Sequence, residues 1–315
     1  MKKYVFGADI GGTTVKLGLF SPEGELLEKW EIPTDLSDNG GNILPDVAAS
    51  IHGKMKEKGI SDEEVEGLGL DVPGPIDKNG NVLRCVNLGW GVFNVEERME
   101  KICGFPCKVG NDANVAAFGE MYKGAAQGHE NVVMVTLGTG VGGGVIIEGK
   151  IVPGTNGAGG EIGHIPVRDD ETEYCGCGKQ GCLEQYASAR GFARQVQKRL
   201  ASGTEESSLR GYEEFTGKEI FDEAKKGDAF SLQMVDELGK LLGRACAQIA
   251  CVTDPEVFVI GGGLSKAGPI LTDAIQKYYR HYAFHASKET PFVLAKLGND
   301  AGIYGGVKMV LDSRQ

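Results

Sequence analysis

Apolar positions along this chain follow two recurring patterns. In the first, a β-rich run breaks at glycine and threonine, and a second β-rich run follows. Tyr4-Val5-Phe6-Gly7-Ala8-Asp9-Ile10 enters Gly11-Gly12-Thr13-Thr14 and continues as Val15-Lys16-Leu17-Gly18-Leu19-Phe20, turned by Ser21-Pro22-Glu23-Gly24. Asn131 to Leu137 enters Gly138-Thr139-Gly140-Val141-Gly142-Gly143-Gly144 and continues as Val145-Ile146-Ile147. In the second, apolar residues recur at helical spacing. That spacing predicts helices from Ile43 to Lys58 (closed by Gly59), Gln185 to Leu200, Lys218 to Lys226, Asp228 to Cys251 and Ala301 to Leu311. Buried strands are expected at Val65–Val72, stopped by Pro73-Gly74-Pro75, and at Pro106–Val109, Glu256–Ile260 and Pro291–Leu297. Asn79-Gly80 marks a hairpin turn, and Asn94 can cap a short helix reaching about Cys103.

The two interrupted runs are copies of one device. Glycines at such a turn leave backbone N–H groups free to face a phosphate, and in the first turn Thr13 and Thr14 add hydroxyl donors. Asp9, at the strand end, is placed to hold the magnesium that travels with ATP, directly or through water. An ordinary hairpin in which Asp9 bonds the turn amides fits this first stretch equally. Glycines 138, 140 and 143 satisfy the dinucleotide pattern G-x-G-x-x-G, but a strand follows them where that fold requires a helix. Two phosphate hairpins in one chain suggest a duplicated architecture closing on one nucleotide.

Other stretches carry chemistry. In Gly110-Asn111-Asp112-Ala113-Asn114, Asp112 stands where a strand gives way to an alanine-rich helix. It is either a plain N-cap or an ionised carboxylate that accepts a proton from an attacking hydroxyl. Gly261-Gly262-Gly263 after a buried strand is either a tight turn or a flat shelf for an adenosine ring; Gly268-Pro269 then opens a helix. From Gly157 to Glu184, His164, Cys175, Cys177 and Cys182 gather among glycines. Three thiolates and one imidazole complete a tetrahedral zinc site with no position left for water, so such a zinc is structural. It would fix the flanking acids Glu161 and Glu184. Free or disulfide-linked thiols are the alternative.

Composition narrows the setting. The 315 residues are 41% hydrophobic and 24% charged, with a net charge of −11, as expected of a globular protein large enough for two lobes. That charge disfavours nucleic acid and anionic membrane as partners. With no leader and no long apolar run, the expected compartment is the cytoplasm. Cys85, Cys103, Cys107, Cys246 and Cys251 are expected to pack as small hydrophobes.

Five motifs in order make the chain resemble the ROK family of sugar kinases over essentially its whole length, and its bacterial glucokinases most. They are Asp-Ile-Gly-Gly-Thr at 9–13, Asn-Asp-Ala-Asn at 111–114, Gly-Thr-Gly-Val-Gly-Gly-Gly at 138–144, Gly-Gly-Glu-Ile-Gly-His at 159–164 and Cys-Gly-Cys-Gly-x-x-Gly-Cys-Leu-Glu at 175–184. The resemblance implies a two-lobed, actin-like α/β fold. A small lobe of residues 1–118, joined by the helix at 301–315, would face a large lobe of residues 119–300 carrying the zinc loop. It implies Asp112 as general base toward a sugar 6-hydroxyl. Asn111, Glu161, His164 and Glu184 would bind sugar hydroxyls, with His164, Cys175, Cys177 and Cys182 on zinc. ATP and Mg²⁺ would meet Asp9, Gly11, Gly12, Thr13, Thr14, Gly138, Thr139, Gly140, Gly142, Gly143, Gly261, Gly262 and Gly263. It also suggests a homodimer. Many members carry Lys directly after the first-turn Thr13; this chain has Thr14 there, and its nearest basic residue is Lys16.

The implied substrate is D-glucose. Family fructokinases carry a His-Gly form of the zinc loop, whereas this chain has Cys-Gly-Cys-Gly. N-acetylglucosamine and N-acetylmannosamine kinases share the latter form and are the alternative. The family also includes sugar-responsive repressors with a DNA-binding domain ahead of the kinase-like part. A first strand at Tyr4 leaves no room for one, so that reading is disfavoured.

Overall fold

The computed structural model describes residues 2–314. Strand β1 (Tyr4–Ile10) turns into β2 (Thr14–Phe20), and β2 into β3 (Leu26–Pro33). One irregular turn, α1 (Ser37–Gly40), precedes helix α2 (Ile43–Lys58). Strand β4 (Val65–Val72), the short hairpin β5 (Asn81–Val82) and β6 (Phe93–Asn94), helix α3 (Val95–Cys103), strand β7 (Cys107–Asn111) and helix α4 (Asp112–Lys123) follow. The pattern then begins again with β8 (Val132–Leu137), β9 (Val141–Ile147) and β10 (Lys150–Ile151). Helices α5 (Glu184–Ala187), α6 (Ala189–Ser202), α7 (Gly217–Lys225) and α8 (Ala229–Thr253), strand β11 (Val257–Gly261), helix α9 (Pro269–Tyr282), strand β12 (Phe292–Leu294) and helix α10 (Ala301–Asp312) complete the chain.

The two large sheets have one topology. The first runs β3-β2-β1-β4-β7 and the second β10-β9-β8-β11-β12. Each has two antiparallel pairings on one side and two parallel pairings on the other. Parallel strands need crossovers, and helices supply them, so both faces of each sheet are covered. Helices α2 and α3 pack Ile43, Val47, Ile51 and Met99 over one face of the first sheet. Helices α6 to α9 enclose the largest core over the second, around Phe192, Phe221, Phe258 and Tyr279. Between the sheets, α4 lays Ala117 and Phe118 on Val132, Met134 and Val259. Helix α10 lays Ile303, Val307 and Val310 on Val5 and Phe20.

At Gly305 and Gly306, helix α10 lies directly on backbone. A Cβ added at Gly305 would run into the carbonyl oxygen of Val115, and one at Gly69 into that of Gly306. Gly305→Ala should therefore lower stability by about 1–3 kcal/mol, the usual cost of overpacking. Urea unfolding reads it directly, and a wild-type midpoint would contradict this packing.

Differences from the pattern-based reading have identifiable physical causes. Strand β3 has no strong apolar run: its residues alternate half-buried and exposed, as at a sheet edge. The helix expected from Gln185 to Leu200 breaks at Ser188, whose hydroxyl accepts the Gly191 amide at 3.0 Å and caps α6. The strand expected from Pro291 to Leu297 stops at Leu294. The amides of Lys296 and Leu297 turn instead to the buried Glu120 carboxylate, at 3.1 and 2.7 Å. Cys85, Cys103, Cys107 and Cys246 are buried, but Cys251, in the last turn of α8, is exposed. Among the described residues, no helix is long and apolar enough to cross a membrane.

Candidate active site

A cleft of about 850 Å³ lies between the two sheets. Asp9 and Lys16 of the first hairpin line it, as do Asn111 and Asp112 at the start of α4. The second hairpin contributes Gly138 to Gly143, and Glu161, Glu184 and Gly261 to Gly263 also line it. Gly11, Gly12, Thr13 and Thr14 lie outside its lining, where the Gly11 amide donates to Thr14 O at 3.0 Å, and so does His164, which stands behind Glu161. Sequence reasoning passed over Asp71, Asn87, Lys266 and Lys296, which also line the cleft. Asp71 hides inside a mostly apolar strand, Asn87 sits in one short helical turn (Val86–Leu88), and neither pattern nor spacing marks them.

The Asn-Asp pair at the helix start divides its work. Asn111 is the cap: its Oδ1 accepts the Ala113 and Asn114 amides at 3.1 and 3.2 Å. Its Nδ2 donates to Gly74 O at 3.0 Å and to Asp112 Oδ1 at 2.9 Å. Asp112 is thereby released from capping. Its Oδ1 also accepts its neighbour's amide, Ala113 N, at 2.8 Å. Solvent reaches this carboxyl, yet the cleft walls strip much of its hydration. Its pKa is pushed up to about 6 by that desolvation and by the charges of Asp9 and Glu161, against the pull of the Ala113 and Asn111 hydrogen bonds. An acid of this kind is ionised at neutral pH yet basic enough to take a proton.

Neighbouring Asp71 differs. It is 1% exposed, and its Oδ2 has no hydrogen-bond partner. Burial, then the charges of Asp9 and Asp112, hold its pKa well above the usual carboxylate range. Asp9 Oδ2 accepts from Lys16 Nζ at 3.0 Å, so the basic residue two places beyond Thr14 reaches back into the cleft.

The cysteine segment backs this wall. Single ligand atoms from His164, Cys175, Cys177 and Cys182 all lie within 4.8 Å of one another. Cys177 Sγ and Cys182 Sγ are 3.6 Å apart, and Cys175 Sγ is 3.6 Å from His164 Nδ1. The edges of a tetrahedron with zinc–sulfur bonds of about 2.3 Å are roughly 3.7 Å, so the set fits a four-coordinate metal. Both flanking acids touch it. His164 Nε2 lies 3.7 Å from Glu161 Oε2. Glu184 Oε1 lies 3.8 Å from Cys175 Sγ, while its Oε2 accepts the Val141 amide at 3.0 Å. One glycine of the shelf is required sterically: Gly262 has φ +78°, and a Cβ there would press into the Leu137 backbone at about 2.5 Å.

Comparison with known proteins agrees over nearly the full chain. The ROK family model matches residues 5–313. A glucokinase of Halalkalibacterium halodurans is 41% identical, covering 96% of this chain and 94% of its own length. An N-acetyl-D-glucosamine kinase of Vibrio atlanticus is 30% identical, covering 95% and 97%. The crystal structure of a ROK family glucokinase from Streptomyces griseus, in complex with glucose and AMPPNP, matches with a TM-score of 0.77 at 34% identity, covering 97% of this chain and 98% of that one.

Proposed function

The chain belongs to the ROK family and has its two-lobed, actin-like α/β fold; from that premise we propose that it transfers the terminal phosphoryl group of ATP to the 6-hydroxyl of D-glucose. The observation that carries this is Asp112, freed from capping by Asn111 and placed in one cleft with the second phosphate hairpin and Glu161. In this reading Asp112 orients the 6-hydroxyl and takes its proton as the oxygen attacks phosphorus. Asn111, Glu161, His164 and Glu184 bind the remaining hydroxyls. Backbone amides of Gly138 to Gly143 face the phosphates, with Gly11 to Thr14 approaching as the lobes close, and Gly261 to Gly263 carry the adenosine. Closure excludes water and suppresses hydrolysis of ATP. Magnesium, held by Asp9, would offset charge on the phosphates. The lobes are read as residues 1–118 with 301–315, and residues 119–300.

Zinc on His164, Cys175, Cys177 and Cys182 is the second part of the proposal. All four positions are filled by protein, so its role is to hold His164 and the two flanking glutamates in place.

Identity to the glucokinases exceeds that to the N-acetylglucosamine kinase, which favours glucose. Buried polar groups set for particular hydroxyls penalise a sugar that leaves them unpaired or adds bulk at carbon 2. A coupled ADP-release assay over hexoses and N-acetylhexosamines should give kcat/KM for glucose at least about 10-fold above either N-acetylhexosamine. A better N-acetylhexosamine would overturn the sugar and leave the kinase standing. No phosphorylation of any sugar would overturn both.

A further inference from the structure

Asp9 and Asp71 are direct partners across the parallel pair β1 and β4, so both side chains rise from the same face of the sheet into the cleft. Helix α10 closes over them at Gly302. A Cβ at Gly302 would collide with Asp71 Oδ2 and stand 3.1 Å from the Asp9 Cβ. Glycine there brings the helix start onto two carboxyls at once. Asp112 is a third acid close enough to act on Asp71 electrostatically. Against the three stands Lys16, whose ammonium is engaged by Asp9 Oδ2. Asp71 Oδ2 is left buried and unpartnered. An uncompensated carboxylate inside a protein is expensive, and proteins resolve it by pairing or by coordinating a cation. Hard oxygen donors from two neighbouring carboxylates suit magnesium, which takes one or two of them together with substrate phosphates.

We propose that Asp71 is a second carboxylate ligand, beside Asp9, for the divalent cation that accompanies ATP. The proposal rests on the kinase reading above and adds to it a residue outside the expected set. The competing account is that Asp71 stays a neutral acid and merely hydrogen-bonds Asp9.

Linkage between metal and nucleotide separates the two accounts. The dissociation constant of AMPPNP is measured by calorimetry with and without Mn²⁺, for wild type and for Asp71→Asn, with glucose binding measured alongside. In wild type, Mn²⁺ should tighten AMPPNP. In Asp71→Asn that gain should shrink by about 10-fold or more, while glucose affinity and metal-free AMPPNP affinity stay within about 3-fold. Full retention of the Mn²⁺ effect in the variant overturns the proposal and favours the neutral acid. Absence of AMPPNP binding to wild type overturns the kinase reading itself, a distinguishable result. Without metal, Asp71→Asn should melt no lower than wild type, because it replaces a buried acid whose Oδ2 has no hydrogen-bond partner. A melting temperature several degrees lower would mean that the carboxyl already has a partner within the fold, and would also overturn the proposal. Asp71→Ser, smaller and neutral, carries the same expectations.

Discussion

Asp112→Asn is expected to lower kcat by about 10²–10⁴ while sugar affinity stays within a small factor. The variant keeps the size and most of the hydrogen bonding of the site, because Asn111 holds the helix cap and an amide oxygen can still accept the Ala113 amide. What it loses is the ability to take a proton. The wild-type pH profile should show the same group: kcat/KM falls as pH drops through about 6, where Asp112 becomes protonated. The variant should lack that limb. Stability should move the other way. A carboxyl whose folded pKa is raised contributes stability that is fully present below about pH 4 and lost as pH rises to about 6, the interval between its unfolded and folded values. At neutral pH, Asp112→Asn should therefore be at least as stable as wild type. Near-normal turnover in the variant would falsify the assignment of Asp112 as base.

Removing the metal should be nearly as damaging, by a different route. Purified protein should carry about one tightly held zinc per chain, and Cys177→Ser should lose it. The reason for expecting sugar binding to fail as well is geometric. His164 offers Nδ1 to the thiol cluster and Nε2 toward Glu161, while Glu184 spans from Cys175 to the Val141 amide. Releasing the cluster frees both glutamates and the imidazole at once. The sugar KM is expected to rise about 10–100-fold, the range seen when support behind a ligand set is lost. Elemental analysis beside a glucose titration is the test. Active protein without zinc would dispose of the site, whereas loss of zinc with unchanged sugar affinity would dispose of the link between metal and pocket.

The repeated strand–turn–strand device was legible because it rests on short-range chemistry: β-branched runs and glycine turns. The pairing pattern of β1 and β2 recurs in β8 and β9. The His164, Cys175, Cys177 and Cys182 cluster was legible for the same reason, lying within nineteen consecutive positions. Asp71 was not. It reads as a charged residue near the end of a mostly apolar strand, and its meaning comes only from Asp9 across the sheet and Gly302 far along the chain. Lys16 gave a partial signal. Its place in the sequence showed a departure from the family turn, but only the fold shows its ammonium returning to Asp9. The shortening at Leu294 is also non-local, since it depends on a carboxylate from α4.

Helix α10 bears on how the protein is made. Its residues Ile303, Val307 and Val310 cover Val5 and Phe20, yet about 190 residues separate the end of β7 from the start of α10. At roughly 5–20 residues per second of synthesis, that face of the first sheet waits about 10–40 s for its cover. During that interval the nascent chain presents a bare apolar surface beside strands already long enough to pair, so the lobe made first on the ribosome is finished last and is where chaperone capture should concentrate.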